Sequence, residues 1–172
     1  MNKTVIVING SGGVGKDTLC ELAGKHFKVF NESTITPIKE IAKLFGWKGE
    51  KTNEARRFLS ELKRVSAEYN EFPTEWIYKE YLSFLESDNE IMFVHIREGK
   101  EIEKFVKRTG NKAKTLLIRG GSRFKRDKAS DYGNTSDDDV EKYNYDYYYD
   151  NDLPFDETEK AFCSLLETII KE

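Results

Sequence analysis

The chain has 172 residues, enough for one compact domain with a real core, and its 38% hydrophobic and 34% charged residues describe a soluble, surface-rich protein. A net charge of −3 argues against broad affinity for nucleic acid or membranes, and no apolar run approaches the roughly 20 residues that cross a bilayer. Met1 leads almost at once into a strand pattern with no leader, and Cys20 and Cys163 lie in helical patterns outside any metal spacing. These features fit two reduced thiols in a cytoplasmic protein.

Lys3 to Asn9 is predicted as the first strand and Lys16 to Phe27 as the first helix, with Leu19, Leu22, Ala23 and Phe27 on one face. A short strand is expected at Val29 to Asn31. Thr36-Pro37 then supplies an N-cap and a proline at the first helical position, Ile38, Ile41, Ala42 and Phe45 form an apolar stripe, and Gly46 closes the helix. A longer helix over about Glu54 to Tyr69 should bury Ala55, Phe58, Leu59, Leu62, Val65 and Tyr69. Pro73 opens another, with Trp76, Ile77, Tyr81, Phe84 and Leu85 inward. Ile91 to Ile96 is almost continuously apolar, as a central parallel strand covered on both faces must be. A helix from Glu101 to Thr109, a strand from Lys114 to Arg119, a Tyr-rich strand from Tyr145 to Asn151 and a helix from Glu157 to Glu172 complete the series.

Alternation of strand and helix predicts right-handed crossovers and a doubly wound α/β sheet, with ligands at the carboxyl ends of the strands. The segment that falls there first is Gly10-Ser-Gly-Gly-Val-Gly-Lys-Asp-Thr18. It fits the phosphate-loop pattern Gly-x4-Gly-Lys, preceded by the strand formers Val5 to Ile8 and followed by a helix. The glycines let backbone N–H groups of residues 11 to 15 (Ser11, Gly12, Gly13, Val14, Gly15) wrap an anion, and the helix dipole adds positive potential. Lys16 then reaches the β- and γ-phosphates of a nucleoside triphosphate. Asp17 stands where the standard motif has the Ser or Thr that binds magnesium, and Thr18 comes one place later, so Asp17 and Thr18 are the candidate metal-holding residues.

Phosphoryl transfer needs positioning and charge neutralisation, and the chain supplies arginines for both. Arg97, just past the third strand, can hold an acceptor phosphate bidentately; the competing reading pairs it with Glu98 or Glu101. Arg119, Arg123 and Arg126 crowd the start of an unpatterned stretch rooted at Gly120-Gly121, which reads as a lid over about 119–144. Arg119 is expected at ATP, and Arg123 and Arg126 at the transferred group. Thr34, Arg56 and Arg57 join Arg97 as candidate acceptor contacts within a helical region at about 33–86. His95 reads as a satisfied, nearly buried histidine rather than a base. Alternation along a strand explains most of Tyr143, Tyr145, Tyr147, Tyr148 and Tyr149.

Gly15-Lys-Asp-Thr18 resembles the loop of the bacteriophage deoxynucleoside monophosphate kinases and is similar to that of adenylate kinases, whose loop reads Gly-Lys-Gly-Thr. In that family an acidic residue near the end of the third strand precedes the acceptor-binding Arg. Here Val94-His95-Ile96-Arg97 keeps the Arg and has His95 in the acidic place. The resemblance implies a single P-loop kinase domain over residues 1–172, a three-layer sandwich with a central parallel sheet of about five strands, helices on both faces and a lid segment. It also implies ATP and magnesium as cofactors and a (deoxy)nucleoside monophosphate as acceptor.

Related loops occur in dephospho-coenzyme A kinase, phosphomevalonate kinase and phage kinases of modified DNA bases, so fold alone does not choose the acceptor, and nucleic acid enters only as such a substrate. A nucleotide-binding protein without kinase activity is the remaining alternative. A GTPase switch is disfavoured, because the chain carries no Asn-Lys-x-Asp signature. Oligomeric state is left open, a dimer included.

Overall fold

The computed structural model describes residues 3–120 and 140–172. Five strands, β1 (Thr4–Asn9), β2 (Val29–Ser33), β3 (Ile91–His95), β4 (Lys114–Gly120) and β5 (Tyr147–Asn151), form one sheet in the order β2-β3-β1-β4-β5. Every pairing is parallel. Among the described residues six α-helices accompany them: α1 (Lys16–Ala23), α2 (Thr36–Leu44), α3 (Asn53–Asn70), α4 (Phe72–Glu86), α5 (Gly99–Arg108) and α6 (Phe155–Lys171). A 3-10 turn spans Val140–Lys142.

The central strands are apolar on both faces because both faces are covered. On one side Ile6, Ile8, Phe93, Leu116 and Ile118 pack against Leu19 and Ala23 of α1 and Phe162, Leu166 and Ile169 of α6. On the other, Val5, Val7, Met92, Val94 and Leu117 meet Ile77, Tyr81 and Phe84 of α4 and Ile102 and Phe105 of α5. The strand order reverses direction at β1, whose two neighbours are β3 and β4. The crevice beyond its carboxyl end is therefore the switch point where ligands bind in such sheets.

Every expected element is present, with shifted ends. α1 stops at Ala23, where Gly24 and a tight turn return Phe27 to the core; the N–H groups of His26 and Phe27 both donate to the Ala23 carbonyl. β5 begins at Tyr147 rather than Tyr145. The larger correction concerns α3. It packs mainly on α4 and α2 instead of on a strand, and none of its residues is fully buried. Val65 and Tyr69, expected inside, are 52% and 86% exposed. Phe45 and Leu85 are likewise exposed. A helix lying on helices covers a narrower stripe than a helix lying on a sheet, so the outer members of its apolar pattern stay in solvent.

Candidate functional site

β1 ends in Asn9, and the chain then turns through the glycine-rich loop into α1. Gly10, with φ +150°, has no room for a side chain: a Cβ there would lie 2.4 Å from the carbonyl oxygen of Ile118. Gly15 takes the left-handed conformation at the N-terminus of α1, at φ 89°, which is open to glycine at no steric cost. Val14 is buried against the sheet and holds the loop down. Lys16 folds back over the loop, its Nζ donating to the carbonyls of Gly10 and, at 2.9 Å, Ser11. Asp17 and Thr18 stand exposed in the first turn of α1, with Ser11 and Gly12 half-buried and Gly13 exposed.

Two asparagines that the sequence did not single out fasten this loop. Asn9 is 1% exposed. Its Oδ1 accepts from the Gly10 N–H at 2.8 Å, and its Nδ2 donates to the Arg97 carbonyl at 3.0 Å and to the Tyr145 hydroxyl at 2.8 Å. Asn151, at the end of β5, donates to the Val14 carbonyl at 2.9 Å. Both are the last residue of their strand, Asn9 after an apolar run that is visible in the sequence; their partners lie far along the chain and were not.

Arg97 is exposed just past β3, beside the loop. Glu98 and Glu101 both pair with Lys63 of α3, at 2.7 and 2.9 Å. Lys63 is only 12% exposed. Burial and the neighbouring Glu98 carboxylate push Glu101 up to about 6, the Lys63 ammonium opposing them. At Glu98 burial also acts upward, and the Lys63 charge and hydrogen bond outweigh it, so its pKa is lowered.

His95 lies between Asn31, whose Oδ1 is 2.8 Å from its Nε2, and the Cys20 thiol, at 3.9 Å. Burial lowers it to about 4, the Asp17 carboxylate opposing and Lys16 adding to the shift. It is a neutral, satisfied histidine beneath the loop. Burial also pushes the Cys20 thiol up, leaving it protonated.

Thr34 is buried, and its N–H donates to the His95 carbonyl at 3.2 Å, bracing the end of β3. Arg56 and Arg57 are exposed in the first turns of α3. Arg119 ends β4 with its guanidinium 4.6 Å above the Tyr148 ring and 3.0 Å from the Glu141 carboxylate. It borders a cavity of about 330 Å3 that opens beside the loop, lined also by Ser11, Val14, Gly120 and Glu141. Tyr147 and Tyr149 pack on the α6 side of the sheet and Tyr148 faces out, as strand alternation requires. Arg123, Arg126 and most of the lid stretch lie outside the described residues.

Among the described residues no three His, Cys, Asp or Glu side chains gather as a metal cage, and no helix is long and apolar enough to cross a membrane. A magnesium ion carried by a nucleotide asks for no such cage: it takes one or two protein oxygens and completes its shell with phosphate and water. The hard oxygens of Asp17 and Thr18 suit that need.

A parallel sheet of this order, layered by helices, with a Gly-Lys loop between the central strand and α1, defines the P-loop kinase fold. Solved structures agree. Shikimate kinase from Bacteroides thetaiotaomicron superposes with a TM-score of 0.55 over 98% of this chain and 99% of that one, at 14% identity. The tunicamycin resistance protein of Deinococcus radiodurans gives 0.54 over 96% of each chain at 13% identity. No protein-family pattern matches the sequence, and no curated protein matches it either.

Proposed function

We propose that this protein is a small-molecule kinase that transfers the γ-phosphoryl group of ATP to a phosphorylated acceptor, a (deoxy)nucleoside monophosphate. The observation that carries the reading is the Gly-Lys loop seated at the switch point of the sheet, with Arg97 emerging beside it from the neighbouring strand. Backbone N–H groups of residues 11–15 bind the phosphates, and Lys16 swings from the loop carbonyls onto the β- and γ-phosphates. Asp17 and Thr18 hold the magnesium ion, which supplies charge neutralisation on the phosphates when bound. Arg97 orients the acceptor phosphate, Arg119 borders the nucleotide, and Arg123 and Arg126 close over the transferred group, excluding water. Thr34, Arg56 and Arg57 belong to the acceptor side.

A second reading, a kinase of a small acceptor without a nucleobase, draws support from the likeness to shikimate kinase. One assay separates them: ADP release with mononucleotides, hydroxylated acids, dephospho-coenzyme A and DNA as acceptors. Mononucleotide-dependent release is expected. Lys16→Ala should abolish the ATP-dependent rise in melting temperature. Arg97→Ala should keep that rise and lower turnover by about a hundredfold, since one charged transition-state contact contributes roughly 3 kcal/mol. ADP release indifferent to every acceptor would sink the transferase reading.

A further inference from the structure

We propose that Asn9 and Tyr145 form a positioning pair that sets the Arg97 end of β3 against the phosphate loop. The inference rests on the kinase reading above and adds residues that reading does not use. The register of β1 with β3 ends at Ile8 opposite His95. Beyond it the Arg97 carbonyl is held by a side chain, the Nδ2 of Asn9.

The polarity of the arrangement is fully determined. Both protons of the Asn9 amide are spent, one on Arg97 and one on Tyr145, while its oxygen takes the Gly10 N–H. The Tyr145 hydroxyl accepts from Asn9 and passes its own proton to the Val140 carbonyl at 2.9 Å. Both residues are buried, at 1% and 4% exposure. Burial also raises Tyr145 to about 12, so it remains a donor at any working pH. In such surroundings each group left unpaired costs the full desolvation of that group, so the network tolerates one geometry only.

That geometry joins three parts of the site. Gly10 begins the phosphate loop, Arg97 leaves β3, and Val140 begins the 3-10 turn whose Glu141 pairs with Arg119. A shift of the Arg97 backbone by a few tenths of an ångström would be felt at the loop and at the turn together. Asn9 and Tyr145 touch no substrate in this scheme. They act through Arg97, placing its guanidinium at the distance from the loop that in-line transfer demands.

The test is a double-mutant cycle on turnover. Tyr145→Phe, which removes one oxygen, should lower kcat about tenfold in the wild-type background and less than about twofold in an Arg97→Ala background, where there is no guanidinium left to place. The ATP-dependent rise in melting temperature should persist in both. Asn9→Ser is the second variant, should Tyr145→Phe fold poorly, and the same pattern is expected of it. Equal fold losses in the two backgrounds would mean a merely structural role and would overturn the inference, as would unchanged turnover. Wild-type protein that transfers nothing would remove the kinase reading itself, and this inference with it.

Discussion

The loop corner and the outer helix α3 lie on the same chain and are held by different means. At the corner Asn9, Val14, Asn151 and the central strands are buried, and Gly10 has backbone packed where a side chain would be. In the helical region α3 buries no residue fully, and Leu44, Phe45, Val65 and Tyr69 face solvent. Its ionic tie to the rest of the fold is Lys63 to Glu98 and Glu101, and Arg64 pairs with Glu61 and Glu68 within α3 itself. Buried polar bonds are costly to lose and specify one arrangement, whereas exposed pairs such as those of Arg64 contribute little. The loop corner is therefore built to one pattern, and α3 is freer to vary.

If that contrast holds, the largest effect should come from Gly10→Ala. The added Cβ meets the Ile118 carbonyl at 2.4 Å, and the conformation at φ +150° is strained for any L side chain. A loss of about 3 kcal/mol is expected in urea unfolding, together with loss of ATP-dependent stabilisation. A neutral outcome would show that the corner gives way as readily as the helices.

Lys63→Met should act on a smaller scale. It leaves Glu98 and Glu101 without their cation; Glu98 is 45% exposed and screened by water, but Glu101 is only 17% exposed. A cost of about 2 kcal/mol is expected, between the values for exposed and buried pairs. The cost should grow with pH. Glu101 is raised to about 6 in the native state from an ordinary value of 4.5, so protons favour the fold between these values and the carboxylate costs most once pH exceeds 6. Urea midpoints at pH 5 and pH 7.5 test this, and a deficit larger at pH 5 would contradict it.

The effect at His95 shows only as a dependence on pH. Its native value of about 4 lies below the ordinary 6.5, so the neutral ring is favoured by the fold. Its contribution is complete above pH 6.5 and is lost as pH falls toward 4. The ring resonances should stay neutral at pH 5.5, and His95→Gln should flatten the stability profile between pH 6.5 and 4. An imidazole titrating near 6.5 would place it in solvent.

Among the described residues periodicity located every strand and α-helix, because strands covered on both faces and amphipathic helices leave local traces. The Gly-Lys loop was legible for the same reason, its strand, turn and helix being contiguous. What escaped depends on contacts between distant positions. Asn9 meets Tyr145 and Asn151 meets Val14 across the whole chain. Lys63 was one charge among many on a polar helix until the fold brought Glu98 and Glu101 to it. Val65 and Tyr69 misled because an apolar period says that a face is covered, not by what or how widely.

The sheet order also shapes the order in which the protein can be made. β1 is synthesised before both of its neighbours, β3 and β4, and the β2 that follows it lies at an edge, beyond β3. At roughly 5–20 residues per second of translation, the apolar run from Val5 to Ile8 waits several seconds before residues 91–95 emerge to pair with it. During that interval a strand that is buried in the finished molecule is an exposed aggregation hazard, and a helper that shields nascent chains would matter there.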